Sequence, residues 1–213
     1  MKAGLVICDL DGTLLSCSTE KELVRLMLRK RTLPAGNALR FIIAYLLHPA
    51  KTVREGKGWN REYLRGLSPK VVHESAELLL PVLKAAIVPE VAAILGEAVS
   101  GGARLYLVSA SLEPLVSRIA SLIGFHGFVG SVPEERGGRF TGGIRGPRPW
   151  GKAKADIGRS LMADEGVHPE NTLALGDSVS DTHLMSECGQ AIAVRPGRRM
   201  MRMAERNGWR VLK

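Results

Sequence analysis

Cysteine is scarce: the 213 residues hold only Cys8, Cys17 and Cys188. Three scattered thiols exclude a disulfide framework and a thiolate metal site, and they read as free thiols in a reducing cytoplasm. No secretory leader is expected, because the residues after Met1 lack a long apolar segment and acids appear early. The longest apolar stretch outside the candidate strands is FIIAYLL, 41–47. It falls far short of the roughly 20 residues a membrane-spanning helix needs. His48, His73, His126, His168 and His183 show no metal-ligand spacing. There is no internal repeat and no low-complexity tract.

The chain is 45% hydrophobic, enough for one domain with a smaller companion or for two modest ones. Its net charge of +9 is uneven. Residues 21–70 carry twelve Lys/Arg against three Asp/Glu, and residues 195–213 carry seven against one. The remainder is net acidic. Such basic regions either attract anions or simply solvate the surface.

Along the chain, AGLVIC (3–8) is a continuous apolar run of the kind buried on both faces of a parallel sheet. From Thr19 the pattern turns helical, and Thr19 with Glu22 forms a candidate capping box. A second helix is predicted over 37–47. KTVREGKGWN, 51–60, reads as loop. Ser68-Pro69 opens another helix, which Pro81 is expected to kink or break. From Pro89 strands and helices alternate. Helices are predicted at about 89–100, 112–123 and 151–165. Strands are predicted at 104–108, 127–131, 172–176 and 190–194, with a final strand in WRVL, and the Gly-rich 137–146 fits a hairpin. Alternation of this kind builds βαβ crossovers. The fold class is therefore α/β, a Rossmann-like parallel sheet with helices on both faces. Segments 1–15 and 89–213 form a discontinuous core, and 16–88 forms an inserted all-helical domain.

Three strands run into polar residues. The first meets DLDGT, the second SAS (109–111), the third GDSVSD (176–181). Ligands of open parallel sheets bind outside the carboxyl ends of the strands, so Asp9, Asp11, Ser109, Asp177 and Asp181 should converge. Four carboxylates together call for a cation, and hard oxygen donors point to Mg²⁺. Asp9 and Asp11 lie two apart and point the same way from a strand. One can attack phosphorus while the other handles protons. Gly12 permits a tight exit from the strand, and Thr13 can bond its own backbone. Lys152 and Lys154 both offer a balancing ammonium. Lys154 shares a helix face with Ile157 and Leu161, which favours it.

DLDGTL, then SAS after an apolar strand, then a lysine on a helix, then GDSVSD resemble the four ordered motifs of the haloacid dehalogenase-like phosphohydrolase superfamily. The helical insert resembles the C1 cap of its phosphoserine phosphatase-like branch, subfamily IB. The resemblance implies Asp9 as nucleophile and Asp11 as general acid/base whose backbone carbonyl joins the metal site. It implies Ser109 and Lys154 as phosphoryl-binding groups, and Mg²⁺ held with Asp177 and Asp181. The implied activity is hydrolysis of a small phosphorylated metabolite through an aspartyl-phosphate. Members of that branch carry a substrate-binding glutamate shortly after the first motif; here that place falls on Ser18, with Glu20 nearby but shifted. A phosphotransferase or mutase would use the same site. A membrane or nucleic-acid binding module built on the basic cap is the competing class, although no nucleic-acid partner is expected. The chain is expected to be a monomer or homodimer. Trp59 and Tyr63 either line the inner face of the cap or pack in the core.

Overall fold

The structure is a computed structural model that describes residues 3–55 and 57–213. Residues 1 and 2 of the expected core segment, and Gly56 of the expected loop, lie outside the described residues.

Among the described residues seven strands form one sheet: β1 (Leu5–Cys8), β2 (Arg104–Leu112), β3 (Gly127–Arg136), β4 (Arg139–Arg145), β5 (Thr172–Gly176), β6 (Gln190–Val194) and β7 (Arg210–Leu212). Their order is β4-β3-β2-β1-β5-β6-β7. All neighbours pair parallel except β3 and β4, an antiparallel hairpin in which β3 runs on past the expected 131 to Arg136 and the Gly-rich 137–146, expected to be a hairpin by itself, supplies the turn and the returning strand. The central strand β1 is apolar throughout because both its faces are covered. Val6 and Cys8 belong to one apolar cluster, Leu5 and Ile7 to the other. This is the alternation a strand imposes.

The first face carries α1 (Thr19–Arg29), α4 (Pro69–Ala85), α5 (Pro89–Ser100) and α6 (Glu113–Ile123), whose buried residues fill one cluster. Between α1 and α4 lie α2 (Ala35–Leu47) and α3 (Pro49–Glu55). The other face carries α7 (Lys152–Asp164), the short α8 (Thr182–Met185) and α9 (Arg198–Asn207). Among the described residues no helix is long and apolar enough to cross a membrane.

Several local expectations are corrected. The predicted loop at 51–60 contains most of α3 and a 3₁₀ turn at Lys57–Trp59. Strand β2 runs past Ser109 to Leu112, with a register shift after Val108. The residue preceding α1 is Ser18 rather than Thr19, and no side-chain cap bond forms there. Helix α4 passes through Pro81 without ending. Its buried residues Val72, Ser75, Ala76, Leu79 and Leu83 lie on both sides of the proline. Pro81 and Glu77, whose carbonyl loses a donor, are exposed. Packing on both sides therefore outweighs one lost, hydrated hydrogen bond.

Replacing Pro81 with alanine should raise stability by about 1–2 kcal/mol. The regained bond and relieved ring clash exceed the added unfolded-state entropy. Urea denaturation of the Pro81→Ala protein measures this.

Candidate active site

The carboxyl ends of β2, β1 and β5 lie side by side and set the floor of the site. Asp9 follows β1 directly, and its N–H donates to Leu175 of β5 at 3.0 Å. The chain then turns back sharply, with Gly12 N–H donating to Leu15 at 2.9 Å. Gly12 has φ +86°, and a Cβ there would stand 2.3 Å from Asp177 Oδ2. Glycine is therefore required both by the turn and by the carboxylate beside it. At Gly176, the last residue of β5, only the close approach applies: an added Cβ would stand 2.5 Å from the Asp181 Cβ. Thr13, expected to bond its backbone, has its buried hydroxyl without a hydrogen-bond partner among the described residues.

Lys154 sits in the first turn of α7 and is 2% exposed. Its Nζ donates to Asp9 Oδ1 and to Asp181 Oδ1, both at 2.6 Å. Lys152 is exposed, so of the two candidate lysines only Lys154 reaches the acids. Asp181 lies in a 3₁₀ turn, Val179–Asp181, where its Oδ2 accepts from Ser178 N–H at 3.1 Å and Ser178 Oγ at 2.8 Å.

Asp11 faces another way. Its carboxylate accepts from Thr19 N–H at 3.0 Å, Thr19 Oγ1 at 3.2 Å, Ser111 Oγ at 2.7 Å and Ser18 Oγ at 3.4 Å. The start of α1 thus binds Asp11 with its backbone, a favourable place for an anion. Asp9 and Asp11 both line the same cavity. Ser109 is buried beside them, its Oγ accepting from Ser111 N–H at 3.2 Å. It lies within β2, while the residue preceding α6 is Leu112.

One carboxylate oxygen each from Asp9, Asp177 and Asp181 lie within 4.8 Å of one another. The Asp11 carboxylate is outside that group, so three of the four acids expected to converge do so, and Asp11 is held apart by Thr19, Ser111 and Ser18. Burial pushes the Asp9 carboxyl above the usual range, with Lys154 opposing and Asp181 adding. Burial, and then Asp181, pushes Asp177 up to about 6. Burial also raises Asp11, against the bonds from Thr19, Ser111 and Ser18. For Lys154 burial works against the charge, but Asp181 and Asp9 outweigh it and hold the ammonium above its ordinary range. Three crowded, charge-starved oxygens of the hard type fit a small divalent cation such as Mg²⁺.

The cavity above has a volume of about 730 Å³. Val24, Phe41, Tyr45, Pro149 and Trp150 give it an apolar wall. Glu20, Arg61 and Tyr63 line it too. Arg61 Nη2 meets Glu20 Oε1 at 2.5 Å, and Tyr63 Oη donates to Glu20 Oε2 at 2.8 Å. Glu20 therefore reaches the cavity although it is out of register with the place that Ser18 occupies. Arg61 carried no sequence signal, because it pairs across 41 positions. Tyr63 is both a core residue and a cavity wall, whereas Trp59 lines a neighbouring hollow.

Residues 6–186 match the family described as haloacid dehalogenase-like hydrolase. The chain belongs to that family. It is 34% identical over 110 residues to "Phosphoserine phosphatase SerB1" of Mycobacterium tuberculosis strain H37Rv, covering 52% of this chain and 36% of that one. It is 27% identical over 195 residues to "Phosphoserine phosphatase" of Archaeoglobus fulgidus, covering 89% and 52%. The chain thus spans about a third to a half of these relatives' length. A solved structure of a Bordetella pertussis Tohama I protein of unknown function superposes with TM-score 0.82 at 22% identity, covering 100% of this chain and 99% of that one. That likeness shows the fold.

In chelator, the Asp177→Asn protein should be more stable than wild type above pH 6. The folded-state pKa of Asp177 is raised from 3.8 to about 6, so its carboxyl costs nothing below the unfolded value. The cost grows as pH rises through the folded one. The expected gain is about 1–2 kcal/mol after discounting for screening at a half-buried group. Added Mg²⁺ should cancel it by stabilising wild type. Melting temperatures from pH 4 to 8, with and without Mg²⁺, measure both effects.

Proposed function

We propose that the chain is a Mg²⁺-dependent phosphomonoester hydrolase that works through an aspartyl-phosphate on Asp9. The observation that carries this reading is the position of Asp9 at a cavity floor, one oxygen held at 2.6 Å by a buried ammonium. A carboxylate so held is fixed in direction and can form a covalent phosphoryl intermediate. The Asp9 carboxylate attacks phosphorus and the ester oxygen leaves. Asp11, whose carboxyl burial raises, supplies the proton to that oxygen. Asp11 then takes a proton from water as the water attacks the acyl-phosphate, which restores Asp9 and releases phosphate. Ser109 and Lys154 bind phosphoryl oxygens and oppose their charge. When bound by Asp9, Asp177, Asp181 and the Asp11 carbonyl, Mg²⁺ neutralises the crowded acids and the phosphoryl group.

Within residues 16–88, the stretch that carries Phe41, Tyr45 and Tyr63 roofs the strand ends together with Val24 and acts as the cap in this reading, while Leu23 and Met27 of α1 and the buried side of α4 cover the sheet. The relatives named phosphoserine phosphatases make an amino-acid phosphate the first comparison. In this chain the Glu20 carboxylate is already taken by Arg61 and Tyr63. The wall is apolar and the cavity is of a size that suits ligands much larger than phosphoserine. Of the basic residues of 21–70, Lys21, Arg25 and Arg61 line the cavity. The substrate is therefore a small phosphorylated molecule with a bulky, partly apolar body, and phosphoserine is a poor one.

The Asp9→Asn protein should keep its melting temperature or gain, and lose at least about a thousandfold in kcat, because an amide cannot form the acyl-phosphate. Turnover close to wild type would overturn the nucleophile assignment. Replacing Mg²⁺ with Ca²⁺ should lower kcat, since Ca²⁺ accepts looser, higher coordination; full activity in excess chelator would contradict the metal site. An aryl phosphate should exceed phosphoserine in kcat/KM by about tenfold or more. Steady-state kinetics on the two substrates decide the specificity.

A further inference from the structure

Helix α2 is apolar on both sides, although only one side is covered. Its inner side is fixed to the protein. Asn37 Nδ2 donates to the carbonyls of Tyr63 and Arg65 at 3.2 and 2.6 Å, and Asn60 Nδ2 donates to the Phe41 carbonyl at 2.8 Å. The Phe41 ring meets Tyr63 edge-on at 5.5 Å. The outer side presents Leu39, Ile42, Ile43, Leu46 and Leu47, which are between 40% and 74% exposed. At helical spacing these five form one continuous stripe. A helix apolar all round is normally buried, and a contiguous exposed apolar patch marks an interaction surface.

The charges around the stripe are of one sign. Between Glu22 and Glu55 the chain has seven Lys/Arg and no acid. Arg29, Lys30 and Arg31 are exposed in the approach to α2, Arg40 is exposed on the helix itself, and Lys51 is exposed just beyond its end. Glu62, the acid on which Arg40 acts, is bound by two guanidinium nitrogens of Arg65, each at 2.6 Å.

We infer that this face of α2 docks in the plane of an anionic phospholipid surface. The stripe enters the boundary of headgroups and acyl chains, and the flanking basic side chains meet lipid phosphates. An aliphatic face bordered by Lys and Arg is what an in-plane membrane helix requires. The 13 residues of α2 extend about 20 Å, enough to lie along the surface and too short to cross it. A second copy is a poorer occupant, because it would set Arg29, Lys30, Arg31, Arg40 and Lys51 against the same five residues. Nucleic acid would satisfy the basic groups but leave five aliphatic side chains in water. Docking leaves the inner side in place, so Phe41 and Tyr45 continue to wall the cavity while the opposite side is in lipid.

Vesicle flotation of the full chain tests the inference, with no substrate present, so the result is independent of any phosphatase activity. The protein should float with vesicles of phosphatidylcholine and phosphatidylglycerol, and not with phosphatidylcholine alone. Raising salt from about 0.1 M to about 0.5 M should weaken binding severalfold as the basic flank is screened. The Ile42→Asp, Leu46→Asp double variant should bind at least tenfold more weakly with an unchanged melting temperature, since each lost aliphatic contact is worth up to about tenfold. The Arg29→Glu, Lys30→Glu, Arg31→Glu variant should also lose binding while keeping the stripe. Equal binding to neutral vesicles, no binding to either kind, or full binding by the double variant would overturn the inference. So would sedimentation showing a dimer that the double variant splits, without vesicle binding, which would assign the stripe to a second copy. Binding of a single-stranded oligonucleotide in place of vesicles, unchanged in the double variant, would overturn it as well.

Discussion

The ammonium of Lys154 is the contact on which the site is assembled. It reaches Asp9 at the end of the central strand and Asp181 in the turn after β5, both at 2.6 Å. Three separate pieces of chain are thereby tied at one buried point. Taking these ions out of water is costly, and only close geometry with further hydrogen bonds repays it. Asp181 has those bonds from Ser178. The ammonium balances only part of the local negative charge, since Asp177 stands beside the same group with its carboxyl raised. The unbalanced remainder is the charge that a cation held at the oxygen cluster would neutralise. Removing Lys154 would strand two buried carboxylates, a change far larger than losing one salt bridge on the surface.

The cavity wall is organised by a second buried pair. Arg61 and Glu20 are joined to each other, to Tyr63 and to the carbonyls of Gly58 and Ala110. The Ala110 contact is to the strand that carries Ser109 and Ser111. The helical excursion and the sheet therefore meet through a charged network as well as through apolar packing. Such a network holds the wall in one shape before a ligand arrives, which lowers the ordering cost of binding. The rings of Phe41, Tyr45 and Trp59 stack edge-on from the other side of the wall.

The core strands were legible because both faces of the sheet are covered, so β1, β5 and β6 read as uninterrupted apolar runs. Asp9, Asp11, Asp177 and Asp181 were legible as cavity-lining acids because each stands just past the point where an apolar run stops. Helical phase separated Lys154 from Lys152. Features that depend on tertiary contacts were not legible. Pro81 reads as a breaker unless the packing of Leu79 and Leu83 is known. Thr19 reads as a cap until Asp11 is seen to occupy its backbone N–H. Glu20 looks out of register because spacing along the chain does not show that Arg61 and Tyr63 draw it inward. The excess of positive charge over 21–70 was visible, but its division between cavity and outer surface depends on how α1 and α2 turn.

The chain between Ser16 and Ala86 leaves the sheet and comes back to the same spot. Ser16 N–H donates to the Ala86 carbonyl at 2.8 Å, and Val88 N–H donates to the Leu14 carbonyl at 2.9 Å. Leu15 and Ile87 form an antiparallel bridge between the outgoing and returning strands of chain. From the sheet's standpoint this long excursion is a closed loop with its ends clasped. The entropy of closing such a loop rises only slowly with its length. Beyond α1 and α4, whose buried residues cover the sheet, a stretch attached in this way can grow, shrink or be exchanged with little strain on β1 or β2.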